Sequence, residues 1–93
     1  MTLTPTQLIT SLIQAVRDLV SAGTLASGNG NALIVKLEAA LAEIAAGNVG
    51  GAISKLLSFI SQVAAFVQTG KLTAAQGQSL TDAANGIIGA LTS

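Results

Sequence analysis

Histidine, cysteine, tryptophan and tyrosine are all missing from these 93 residues, and Phe59 and Phe66 are the only aromatics. Without histidine or cysteine the chain lacks the usual base near neutral pH, the thiolate nucleophile and most ligands for zinc or copper. A serine nucleophile would have to rely on Lys36, Lys55 or Lys71 as its base. No disulfide can form, so cysteine usage leaves the redox compartment open. Charge is equally scarce. Arg17, Lys36, Lys55 and Lys71 balance Asp18, Glu38, Glu43 and Asp82, with no like-charge run. Nucleic acid and anionic membrane both require clustered positive charge, so neither is expected as a partner. Glu38 and Glu43 are the only carboxylates on one predicted helix, and a spacing of five turns them about 140° apart. They cannot jointly hold a metal or a sugar, and read as solvated surface charges. Catalysis, a cofactor and a metal are therefore not expected.

What the chain has instead is apolar bulk: 51% of residues are hydrophobic and 9% charged, with a mean hydropathy of +0.70. None of its uncharged stretches reaches the ~20 predominantly apolar residues needed to span a bilayer. Leu19 to Val35 is interrupted by Gly23, Gly28 and Gly30, and Leu56 to Gly70 is shorter and carries Ser58, Ser61 and Gln62. Met1 to Pro5 lacks the basic residues of a signal peptide and reads as the start of a helix.

Capping residues and glycines divide the chain into four predicted helices, about 5–22, 30–46, 49–69 and 74–91. Thr4, Pro5, Thr6, Gln7 and Thr73, Ala74, Ala75, Gln76 have the capping-box form, and Asn48 can cap the third helix. Gly23, Gly47 and Gly70 end the first three. The segment Gly23 to Gly30 is predicted as a loop anchored by Leu25, with Asn29 or Asn31 capping the second helix. Apolar residues recur with the helical period, as in Leu8, Ile9, Leu12, Ile13, Val16, Leu19 and Val20, and no alternating β-branched run appears. The third helix has the broadest apolar arc, a stripe of Val49, Ile53, Leu56, Leu57, Ile60, Val63, Ala64 and Val67 widened by Ala52, Phe59 and Phe66 to about half the circumference, and is expected to sit centrally. On the fourth, Gly77 shares the apolar side and would let a neighbour approach closely, while Gly86 and Gly89 lie on the other side. The second and third helices both follow a Gly or Asn signal and carry an early lysine, an echo too weak to count as a repeat. The expected fold is a single all-α domain over 1–93, a compact four-helix bundle of mostly antiparallel neighbours joined by short glycine-containing connections.

Three features could carry function. Gly28, Asn29, Gly30 before a helix could bind an anion at the amides, but no strand and no P-loop lysine accompany them, so a connecting loop fits better. Phe59 and Phe66, seven apart on one helix edge, could present an exposed aromatic edge, although helical spacing favours core. Val35, Ala39, Ala42 and Ala46 form a smooth strip on the side of the second helix where a surface helix should be polar. That strip is the candidate interaction surface, suited to another subunit or a neighbouring domain.

The run Leu33 to Ala40, the pair Gly47 and Asn48, the run Ala52 to Val63, and Gly70 to Gln76 with Leu80 together resemble the FIMAH domain. The resemblance spans about Leu8 to Leu91, and its most specific blocks are Phe59 to Val63 and Lys71 to Gln76. Gly77 stands where the family usually has alanine, and the Asn and basic residues common on the third helix are thinned to Ser54 and Ser58. The resemblance implies a non-catalytic helical accessory module of a larger extracellular or cell-surface bacterial protein, with no catalytic residues to carry over. Its implied partners are neighbouring domains or a surface partner, with a second copy of the chain a further candidate. The competing reading is a lipid-binding or membrane-active small helical protein, which the missing basic face argues against.

Overall fold

The computed structural model describes residues 4–92, and over this span the chain folds into α1 (Pro5–Ser21), α2 (Ser27–Ala45), α3 (Val49–Gln68) and α4 (Ala74–Thr92). Met1 to Leu3, part of the start that weighs against a signal peptide, lie outside the described residues, as does Ser93. Both expected capping boxes form. The Gln7 amide donates to Thr4 Oγ1 at 3.2 Å while Thr4 N–H donates to Gln7 Oε1 at 2.8 Å, and Thr73 and Gln76 repeat the exchange at 3.1 and 2.9 Å. Asn48 caps α3 by accepting from Gly51 N–H at 3.0 Å. Each of the first three helices closes with a positive-φ glycine, Gly23, Gly47 and Gly70. At Gly23 the two closing bonds run from Gly23 N–H to Val20 O and from Thr24 N–H to Leu19 O, both 3.0 Å, which satisfies carbonyls the helix would leave unpaired.

One boundary differs from expectation. Helix α2 starts at Ser27, inside the segment predicted as a loop, and neither Asn29 nor Asn31 caps it. Its N-cap is Ala26, which offers no side-chain bond, and the first helical bond runs from Gly30 N–H to Ala26 O at 2.9 Å. Packing overrides the poor local propensity here. Leu25 is buried in the core, and a Cβ on Gly30 would stand inside van der Waals contact with Val20 Cγ2, so the missing side chain lets α2 close against α1.

The helices form a ring in which α1 packs on α2, α2 on α3, α3 on α4 and α4 on α1, whereas the diagonal pairs make no comparable contact. Neighbours are antiparallel: Gly30 at the start of α2 lies by Val20 at the end of α1, and Gly77 at the start of α4 lies by Val67 at the end of α3. Helix α3 therefore occupies a corner of the square rather than its centre. Its buried face is Ala52, Leu56, Phe59, Val63 and Phe66, the phenylalanine edge of the expected arc rather than its middle, and Val49 and Leu57 remain exposed. The core is wholly apolar: no polar or charged side chain is buried among the described residues.

The ring also contains a repeat that the comparison of the second and third predicted helices misses. Shifting α1 and α2 by 47 positions lays them on α3 and α4, matching Ser11 to Ser58, Ile13 to Ile60, Val16 to Val63, Val20 to Val67, Gly23 to Gly70, Leu25 to Leu72, Gly30 to Gly77 and Leu33 to Leu80. Burial repeats with the same shift at Ile9 and Leu56, Leu12 and Phe59, Leu37 and Ala84, and Ala40 and Ile87. The closing bonds repeat too, since Leu19 O accepts from Thr24 and Leu25 N–H and Phe66 O accepts from Lys71 and Leu72 N–H. The molecule is two copies of one helical hairpin packed face to face.

Candidate functional site

Small polar residues, alanine and glycine make up most of the exposed surface, with few charges, so the candidate sites are shapes rather than reactive clusters. The outer strip of α2 is where the helical period puts it. Val35 is 53% exposed, Ala42 and Ala46 are exposed, and Ala39 is half-buried. The buried residues Leu33, Leu37 and Ala40 take up the opposite side of the same helix, which turns the strip to solvent. Its alanines leave the backbone close to any partner laid along it.

The aromatic edge is not exposed. Phe59 is 0% and Phe66 7% accessible, because the buried arc of α3 runs through both rings rather than along the side of Leu57. Gly28, Asn29 and Gly30 likewise form no anion-binding loop: they belong to the first turn of α2, with Gly30 buried against Val20.

The carboxylates engage amides. Gln14 donates to Asp18 at 3.0 Å, Gln78 to Asp82 at 2.7 Å and Asn48 to Glu43 at 2.6 Å. Glu43 is thereby held at the α2–α3 junction, next to the Asn48 cap, while Glu38 is exposed. No group of three or more His, Cys, Asp or Glu side chains lies together among the described residues.

Helix α3 corrects one expectation drawn from hydropathy. Val49–Gln68 is 20 residues long and holds an 18-residue stretch of mean hydropathy 1.4, long and apolar enough to cross a membrane by length and composition. Lys55 is the one charged residue of the helix, so each uncharged run is shorter than the helix itself. The bundle buries 28% of that window, with Ala52, Leu56, Phe59, Val63 and Phe66 turned to the core.

Sequence analysis misses a seam feature. Two pockets open along the junction of α1 and α4, one of about 370 Å³ at Leu12 and one of about 220 Å³ at Leu19, meeting at Ala15. Their far walls are Ala83, Gly86 and Ile87 for the first and Ser79 and Leu80 for the second. The signal that could have revealed them is the repeat itself, which sets Leu12, Ala15 and Leu19 against Phe59, Gln62 and Phe66.

The family model of the FIMAH domain matches residues 9–89. The chain belongs to the FIMAH domain family. The matched span starts in the first turns of α1 and ends near the close of α4, so the FIMAH unit and the bundle coincide. FIMAH domains are helical, non-catalytic accessory domains. No curated protein and no solved structure matches the chain.

Proposed function

We propose that this FIMAH domain is a non-catalytic contact module of a larger extracellular or cell-surface bacterial protein, serving attachment, spacing or protein–protein contact. The outer strip of α2 carries this reading: a regular helix turns Val35, Ala42 and Ala46 to solvent where polar side chains would be the ordinary choice. Family membership supports the accessory role. Its partners in this reading are neighbouring domains of a parent chain, a surface molecule or a second copy.

Light scattering coupled to size exclusion tests the strip, with refractive-index detection because the chain has no tryptophan or tyrosine. Ala42→Glu should leave helicity unchanged and weaken association with itself or with the parent's neighbouring domain. Association that survives this charge would sink the assignment of the strip. The apolarity of α3 favours a second reading, a lipid-binding helical protein. Co-sedimentation with vesicles together with a changed circular dichroism spectrum would support that reading, and a protein left wholly in the supernatant would eliminate it.

A further inference from the structure

The three connections of the ring are not built alike. Those inside the hairpins cover residues 22–26 and 69–73, and each drops a leucine into the core, Leu25 and Leu72. The connection between the hairpins is only Ala46 to Asn48, and every residue from 45 to 50 is exposed. Local bonds alone fold it back. Gly47 takes φ +77°, and Asn48 N–H donates to Glu43 O at 2.8 Å. The Asn48 side chain donates from Nδ2 to Glu43 Oε2 at 2.6 Å and accepts from Gly51 N–H at 3.0 Å. Ala46 already has helical angles, φ −83° and ψ −2°, so only Gly47 and Asn48 depart from a helix that would run on from α2 into α3. The core pattern crosses the turn as well: Ala40, Ile44, Asn48, Ala52 and Leu56 are each four apart. On one uninterrupted helix the two buried faces would be centred about 80° apart, less than a quarter turn.

We propose that this chain forms a hairpin-exchanged dimer with a second copy of itself. Gly47 and Asn48 turn helical, α2 and α3 join into one helix over 27–68, and the α1–α2 hairpin of each copy packs on the α3–α4 hairpin of the other. Opening at this connection leaves each hairpin its own glycine contact, Gly30 on Val20 and Gly77 on Val67, and draws no anchoring leucine out of its turn. The face an opened hairpin uncovers is the one its sister hairpin covers in the closed chain, and a second copy brings that same sister hairpin. Exchange therefore rebuilds the α2–α3 and α1–α4 interfaces, the former the most extensive in the ring, and gives up only the bonds of the turn. Two copies related in this way close on each other with two-fold symmetry, and a short hinge favours the exchange. The dimer is held through the core faces, so it stands independently of the α2 strip.

Refolding the full chain from urea at millimolar and at micromolar concentration, followed by size exclusion with light scattering, is the first test. The concentrated sample should contain a dimer of twice the 9.2 kDa chain mass and the dilute sample monomer alone. Ala15→Cys with Ala83→Cys shows how the copies are joined, because both positions line the same α1–α4 pocket and the chain has no other cysteine. A short bis-maleimide should link them between chains in the dimer and within one chain in the monomer, which a denaturing gel separates. Gly47→Ala with Asn48→Ala removes the left-handed glycine and both side-chain bonds, and should raise the dimer fraction at least about fivefold. Inserting Gly-Ser-Gly after Gly47 should leave only monomer, since a longer connection reverses direction freely. Ala42→Glu should leave the dimer fraction unchanged, which separates failure here from failure of the strip. Four results would each overturn the proposal: an unmodified chain that stays monomeric at the high concentration, a dimer whose cross-links stay within chains, a folded double variant no richer in dimer, or a dimer that survives the insertion.

Discussion

The two hairpins solve one packing problem with different residues. In each, a glycine in the left-handed region ends the first helix, a leucine two residues later drops into the core, and a second glycine lets the helices touch. Thr73 then caps the second hairpin's return helix, whereas Ala26 leaves the first uncapped. The second hairpin fills its seam with phenylalanines and the first with leucines. The devices held in common are those the backbone cannot form without, namely the turn and the close approach. Cap strength and side-chain bulk vary between the copies, because each changes stability by an amount the rest of the bundle can absorb.

The largest separation between the halves should come from truncating their matched core positions. Phe59→Ala should cost ~3–5 kcal/mol and Leu12→Ala should fall in the lower part of the ~2–5 kcal/mol range, because its surroundings already adjoin a pocket and less cavity is newly created. Urea unfolding followed by circular dichroism would measure both, and equal losses would mean that the seams are equally packed.

Next in size are the two contact glycines, which should respond alike. Gly30→Ala and Gly77→Ala each push a methyl into a valine, and the overpacking cost of ~1–3 kcal/mol outweighs the ~1 kcal/mol gain in helix propensity. Pairing Gly30→Ala with Val20→Ala, and Gly77→Ala with Val67→Ala, should remove that clash, visible as a non-additive double-mutant cycle. Additive cycles would show that the valines are not what the glycines accommodate.

Smaller still is the capping contrast. Thr73→Ala should cost ~1 kcal/mol, whereas Ala26→Thr should gain a comparable amount and bring the first hairpin up to the second. Thermal midpoints would register both. Last, Gly86→Ala and Gly89→Ala face open space and should each stabilise by up to ~1 kcal/mol, a gain no glycine at a contact can give.

Helix ends were the most legible part of the fold, because Thr4, Asn48, Thr73 and the three closing glycines act through bonds to their own neighbours. The start of α2 was illegible for the opposite reason. Ser27 to Gly30 has poor local propensity and becomes helical through a contact with Val20, ten residues upstream of Gly30. The face of α3 was misjudged because the helix is apolar nearly all round, so periodicity could not decide between Leu57 and Phe66. On the less uniformly apolar α2, Val35, Ala42 and Ala46 are exposed and Ala39 is half-buried. The seam groove needed the repeat, and the repeat pairs alternate helices rather than consecutive ones. Gly77, expected only to allow a close approach, becomes intelligible in detail beside Val67.

The antiparallel closure of the ring sets Leu8, in the first turn of α1, beside Gly86 and Ile87 toward the end of α4, so the helices that begin and end the domain lie side by side along its thinnest seam. Tension applied between Pro5 and Thr92 would therefore open α1 from α4 like a zipper, loading one turn at a time instead of shearing the whole interface at once. Such a module would yield early under pull, acting as a compliant link in whatever it connects.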